Sequence, residues 1–135
     1  MISYLKDSVL CDIGRCLNLC WLVFKKDNNE YSLHVQCAWR VIVDGIIVTT
    51  DYDMYEDENQ VSEFDNKINS IKKNLLPTKV KNVIISEYYD VIIIMENGLV
   101  FSTFINSFDE CWRVFKKGCV DEEHIVAYIN KLVKE

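Results

Sequence analysis

Apolar and polar positions alternate most regularly between Tyr31 and Tyr55, YSLHVQCAWRVIVDGIIVTTDYDMY. The alternation predicts two strands joined at Asp44-Gly45, because a type I′ loop needs two residues that tolerate positive φ. That loop pairs Val43 with Ile46, Val41 with Val48, Arg40 with Thr49 and Ala38 with Asp51. Side chains alternate across a strand, so Leu33, Val35, Cys37, Trp39 and Val41, with Val48, Thr50, Tyr52 and Met54 opposite, form an apolar face. His34, Gln36 and Arg40, with Thr49, Asp51 and Asp53, form the polar one. The acidic segment that follows, Asp51 to Glu58, reads as a loop.

Elsewhere the period changes. Val61, Phe64, Ile68, Ile71 and Leu75 recur at intervals of three and four, which lays one apolar stripe along a helix from about Glu58 to Leu76. Asp57 with Gln60 forms a capping-box start and Pro77 a stop. Ile2 to Cys16 is compatible with a further helix through Leu5, Val9, Leu10 and Ile13. Leu19 to Lys26 reads as a strand and Asp27-Asn28-Asn29 as the turn after it. Val80 to Glu87, Asp90 to Glu96 and Leu99 to Ile105 read as three more strands, the last two joined at Asn97-Gly98. Val91 to Met95 is apolar at every position, the pattern of a central strand buried on both faces.

Two helices are predicted at the end. Ser107 and Glu110 fit a capping box, with Phe108, Cys111, Trp112 and Phe115 on one helical face and Gly118 as the stop. The second begins near Asp121 and carries acids in its first turn and Lys131 and Lys134 in its last, as the helix dipole favours. Ile125, Ile129, Leu132 and Val133 would form its buried stripe. These elements predict an α+β fold, a mostly antiparallel sheet of about six strands covered by helices on one face. No internal repeat, low-complexity tract or linker stands out, and residues 1–135 read as one domain.

Composition narrows the functional classes. The chain has 135 residues, 50% hydrophobic and 27% charged, and a formal net charge of −6. A domain of this size buries roughly two thirds of its unfolded surface without staples. The negative charge repels a phosphate backbone, so no nucleic-acid partner is expected, whereas a basic protein partner suits it. Six cysteines, Cys11, Cys16, Cys20, Cys37, Cys111 and Cys119, lie in long periodic segments rather than a loop-rich disulfide framework. Asp7 and Asp12 precede the apolar stretch Leu17 to Phe24, and Lys25, Lys26 and Asp27 follow it, which does not fit a secretory leader. No membrane span is expected, and a cytoplasmic location is the resulting expectation.

The chemistry-bearing residues are few. Gly45 and Gly98 belong to turns, Gly118 to a helix end, and Gly14 stands alone, so no phosphate-binding loop is formed. His34 and Cys37 point to opposite faces of a strand, and neither CxxC nor HExxH occurs, so neither metal nor cofactor is expected. His34 shares its face with Asp51, Asp53 and Arg40, which would suit a small hydrolase or lyase: His34 as base, an acid orienting it, and Arg40 holding an anionic substrate. The simpler role for Arg40 is a cross-strand ion pair with Asp51; the functional one is an anchor for a carboxylate. Trp112 fits core packing, with Arg113 outward.

The segments LHVQCAWR at Leu33 to Arg40 and ECWRVF at Glu110 to Phe115, with DYDMYE between them, resemble a family of small uncharacterised bacterial single-domain proteins. In size and charge the chain is also similar to immunity proteins, which neutralise a toxin by binding it. The expected function is therefore a non-enzymatic protein-binding module, contacting its partner through Arg40, Asp51, Tyr52, Asp53, Tyr55, Glu56 and Asp57. The alternatives are the His34 enzyme and a structural homo-oligomer joined through a sheet edge or the aromatic helix.

Overall fold

The computed structural model describes residues 2–55, 63–118 and 123–135. In chain order these form β1 (Val9–Cys16), β2 (Leu19–Lys26), β3 (Asn29–Val35), β4 (Ala38–Val43), β5 (Ile46–Thr50), helix α1 (Glu63–Leu75), β6 (Thr78–Ile85), β7 (Val91–Met95), β8 (Leu99–Phe104), β9 (Trp112–Lys116), β10 (Ile125–Tyr128) and β11 (Lys131–Lys134). Two 3-10 turns, Ser3–Leu5 and Asp51–Met54, complete them. The fold is thus nearly all-β, and the α+β expectation of about six strands under three helices is corrected: the described residues hold eleven strands and one α-helix.

Both C-terminal helices of the sequence reading are strands. Phe108 is 82% exposed, and from Trp112 onward buried residues (Trp112, Val114) alternate with half-buried ones (Arg113, Phe115), a period of two. Ser107 Oγ accepts the Asp109 amide at 3.2 Å, a local turn rather than a helix cap. The deciding factor is tertiary, since β3 leaves one edge of backbone donors and acceptors open and β9 fills it from Tyr31–Lys116 to Val35–Trp112. Asn130 (φ 62) then helps reverse the chain between β10 and β11, where helix periodicity had been read. At the other end, only Ser3–Leu5 is helical and Val9–Cys16 is strand. The helix stripe of α1 is present at Phe64, Ile68 and Ile71, all buried; the capping pair Asp57 and Gln60 lies outside the described residues.

All strands join one antiparallel sheet in the order β11-β10-β9-β3-β2-β1-β6-β7-β8-β4-β5. Its centre is narrow, because β1 and β6 pair only through Val9–Lys79 and Leu10–Thr78. This contact divides the sheet into two halves whose inner faces, with Phe64, Ile68 and Ile71 of α1, enclose one core. Trp39 sits in that core with its ring 5.6 Å from Phe64 and 5.7 Å from Phe101.

The halves repeat each other. β1–β2–β3 and β6–β7–β8 are matching meanders, with the same register break between Leu10 and Asp12 as between Val80 and Asn82. At both breaks the polar side chain caps the next amide, Asp12 Oδ1 to Ile13 N and Asn82 Oδ1 to Val83 N, each at 2.9 Å. Each meander then sends its next strand into the other half. β3 passes through Gln36-Cys37 into β4, which pairs with β8, and β8 passes through residues 105–111 into β9, which pairs with β3. The crossings touch where Cys111 O accepts from Gln36 N (2.8 Å) and Cys37 N (3.3 Å). β4 and β9 carry the same tripeptide, Trp39-Arg40-Val41 and Trp112-Arg113-Val114, and both tryptophans are fully buried. An internal repeat therefore exists where none was expected, with an approximate two-fold relation through Val9–Lys79.

The expected strand from Tyr31 to Val43 is consequently two strands in different halves, and its hairpin register is also corrected. Asp44 (φ 50) and Gly45 (φ 80) make the turn, and Val43 pairs with Ile46 as expected. A bulge at Val48 then shifts the pairs to Val41–Thr49 and Arg40–Thr50. That slip turns Thr49 into the interior, 2% exposed, and leaves Tyr52 at the surface rather than on the apolar face.

Candidate functional site

The repeat places one arginine at equivalent positions on two outer faces, and the surroundings differ. On the first half the row across the strands is Gly14, Trp21, His34, Arg113 and Val126. On the second it is Ile84, Ile92, Ser102, Arg40 and Thr50.

Arg113 is fully engaged. Its Nε lies 3.2 Å from each carboxylate oxygen of Glu110, and its Nη2 reaches Glu110 at 2.6 Å and Glu135 at 3.1 Å. Nη1 meets His124 Nδ1. His124 stacks on Phe115 at 4.8 Å, and His34 meets the same ring edge-on at 4.9 Å. Burial, then the nearby charges of Lys117 and Arg113, holds the His34 imidazole below its ordinary pKa, so it is neutral at physiological pH. Beside it is a cleft of about 520 Å³ lined by Cys11, Asp12, Trp21, Val23, Lys25, Glu30, Ser32, His34 and Lys117. The indole of Trp21 forms its floor by lying against Gly14, where a Cβ would come within 2.4 Å of the ring.

This cleft is poorly equipped for catalysis. Among the described residues no hydrogen bond orients either His34 nitrogen, and the acids on its walls are held by lysines, Glu30 by Lys117 at 3.1 Å and Asp12 by Lys72 at 3.0 Å. Burial keeps the Cys11 thiol above its usual pKa despite Lys25, which disfavours a thiolate. Nor do Arg40, Asp51 and Asp53, the residues grouped with His34 from the sequence, line it. No three His, Cys, Asp or Glu side chains converge for a metal among the described residues.

The predicted binding residues lie in the second half. Asp51 does not pair with Arg40; its Oδ1 accepts the backbone amide of Trp39 at 3.2 Å and ties the 3-10 turn to β4. Asp53 accepts from Thr49 Oγ1 at 2.8 Å and Lys67 at 3.0 Å. Burial opposes its ionisation, but these bonds prevail and hold its pKa below the ordinary carboxylate range. Both acids are thus structural fasteners, while Tyr52 (77% exposed) and Tyr55 (67%) project beside them with rings 5.9 Å apart. Gln36 lies apart from His34, in a small cleft of about 110 Å³ with Asn18, Asp51 and Asn106. Glu56 and Asp57 lie outside the described residues.

Arg40 stands in apolar surroundings. Its Cζ lies 4.6 Å above the ring of Phe104, and its Nε is buried without a hydrogen-bond partner. On the adjacent strand the Ser102 hydroxyl is also buried and unpartnered. Around them β7, expected to be covered on both faces, is covered on one: Val91, Ile93 and Met95 are buried, whereas Ile92 and Ile94 are only half so. Ile84, Phe104, Ile46 and Ile47 are exposed, the last two by 68% and 52%. Sequence reasoning missed Ser102 and the Glu110–Arg113–His124–Glu135 cluster; the recurrence of Trp-Arg-Val was the signal that could have found them.

No protein-family model matches the chain, and no curated protein or solved structure shows significant similarity to it. No helix of the described residues is long and apolar enough to cross a membrane.

Proposed function

We propose that this chain is a non-enzymatic protein-binding domain that acts by covering its partner, in the manner of immunity-type inhibitors. The contact surface is the outer face of the second half together with the Tyr52–Tyr55 corner. The observation that carries this reading is the concentration of exposed apolar side chains there: Ile47, Tyr52, Tyr55, Ile84 and Phe104. A patch of aliphatic and aromatic residues around one arginine has the composition of an interface centre. The net charge of −6 adds long-range attraction to a basic partner.

Immobilised wild-type protein incubated with a lysate of its native host is expected to retain one partner in near-equal amount. Retention should be lost with Ile47→Lys combined with Tyr52→Ala and kept with Trp21→Ala on the opposite face. A partner indifferent to the first change, or no partner at all, overturns the reading.

A further inference from the structure

The half of the molecule that the proposed partner surface does not use carries the cleft beside His34, and strand register sorts its lining into three rows. Trp21 of β2 lies opposite His34 of β3, Val23 opposite Ser32, and Lys25 opposite Glu30. Alternate residues of a strand share a face, so the rows follow one another on one surface. Lys117, whose backbone amide donates to Glu30 O at 2.8 Å, extends the third row onto the end of β9. Trp21 and Lys25 are four residues apart along β2, which separates the aromatic row from the charged one by about 13 Å of backbone.

Each row offers a different contact. The Trp21 ring rests against Gly14, and the His34 imidazole beside it is held neutral by burial and then by the charges of Lys117 and Arg113. In the middle row Ser32 is 1% exposed, and its hydroxyl makes no hydrogen bond among the described residues. In the third row two lysines flank one glutamate: Glu30 takes Lys117 at 3.1 Å, and Lys25 meets no carboxylate among the described residues. Asp12, the other acid on the wall, is held by Lys72 at 3.0 Å. One end of the cleft is therefore aromatic, the other has an excess positive charge, and a buried hydroxyl lies between them. A cationic ligand would be repelled by Lys25, and an uncharged one would leave it without a partner. The volume of about 520 Å³ is that of a small-molecule site and exceeds a single ring.

We propose that this cleft binds a small aromatic carboxylate, with its rings against Trp21 and His34 and its carboxylate directed to Lys25 and the Ser32 hydroxyl. The ring gains a flat apolar contact, and the carboxylate accepts a charge-assisted hydrogen bond from the lysine and a second from the hydroxyl. The site is separate from the partner surface, so either can stand without the other.

The test uses the full chain and three probes, 2-naphthoate, the uncharged 2-naphthamide and acetate. Binding is followed by NMR through the Trp21 Nε1–H and the His34 ring protons, with the Tyr52 ring as a remote control. 2-Naphthoate is expected to shift the Trp21 and His34 signals saturably and to bind about tenfold more tightly than 2-naphthamide, the factor expected of one charge-assisted contact. Acetate should leave both signals in place where 2-naphthoate saturates them. Lys25→Gln, a change at an exposed position, should abolish the preference for the anion while 2-naphthamide still binds; Trp21→Ala should weaken both aromatic probes. Equal binding of 2-naphthoate and 2-naphthamide overturns the carboxylate assignment. No saturable shift with either, or shifts centred on Tyr52, overturns the site. Acetate matching 2-naphthoate would show an adventitious anion only and overturn the aromatic specificity.

Discussion

Trp39 and Trp112 occupy equivalent places in the repeat, so replacing each by phenylalanine isolates the one interaction that differs between them. Both side chains are buried, at 1% and 0% exposure, and both lose the same ring volume, a change that typically costs about 1–2 kcal/mol in a packed core. Trp112 Nε1 donates to the carbonyl of Tyr89 at 2.8 Å, whereas Trp39 Nε1 is buried with no acceptor. Trp112→Phe therefore loses a hydrogen bond of about 1 kcal/mol and orphans a carbonyl, while Trp39→Phe removes a donor that was already unsatisfied. The stacking of Trp39 on Phe64 and Phe101 is available to a phenyl ring as well. Trp112→Phe is expected to be the more destabilising by about 2 kcal/mol, or about 6 °C in Tm for a chain of this length. Urea unfolding followed by circular dichroism, with equal m-values for the two variants, measures the difference. Costs equal within about 0.5 kcal/mol, or a larger cost at Trp39, would refute the reasoning from unpaired donors.

Two further outcomes probe the first half. Gly14→Ala puts a methyl group 2.4 Å from the Trp21 ring, so the indole must lift from the strand; a loss of about 1–2 kcal/mol and an altered Trp21 emission are expected, and unchanged stability would show that the ring does not rest there. His34 should titrate below 6.5 in a histidine NMR titration. Because its folded-state pKa is depressed, the unfolded chain binds the proton more readily. The contribution is therefore present above pH 6.5 and is lost as pH falls through the folded pKa. His34→Gln should remove that part of the pH dependence, and a His34 pKa at or above the ordinary value would contradict the burial argument.

Local patterns identified several elements because their causes are local. Asp44-Gly45 can adopt two positive φ values at little cost, and that turn is present. Phe64, Ile68 and Ile71 are buried along α1 because their spacing matches the helical repeat. Leu33, Val35, Cys37, Trp39 and Val41 are all buried, even though the chain changes halves at Gln36-Cys37, because alternation survives the crossing. The candidate site was legible in its residue types, with Arg40, Tyr52 and Tyr55 named, but not in its partners. Asp51 meets Trp39 rather than Arg40, since the bulge at Val48 moves the register by one residue and no composition signal marks it.

The sequence by itself determined where the Asp44-Gly45 turn and the main helix lie and which residues from Leu33 to Val41 face inward, because φ preferences and side-chain periodicity act over a few residues. Tertiary structure alone decided that Trp112–Lys116 and Ile125–Lys134 are strands, since their helical spacing yields to the unpaired edge of β3 that they complete. It also decided which arginine is satisfied. Arg40 and Arg113 sit in the same tripeptide, and strand order brings Glu135 to Arg113, while Arg40 meets Phe104 and no described carboxylate.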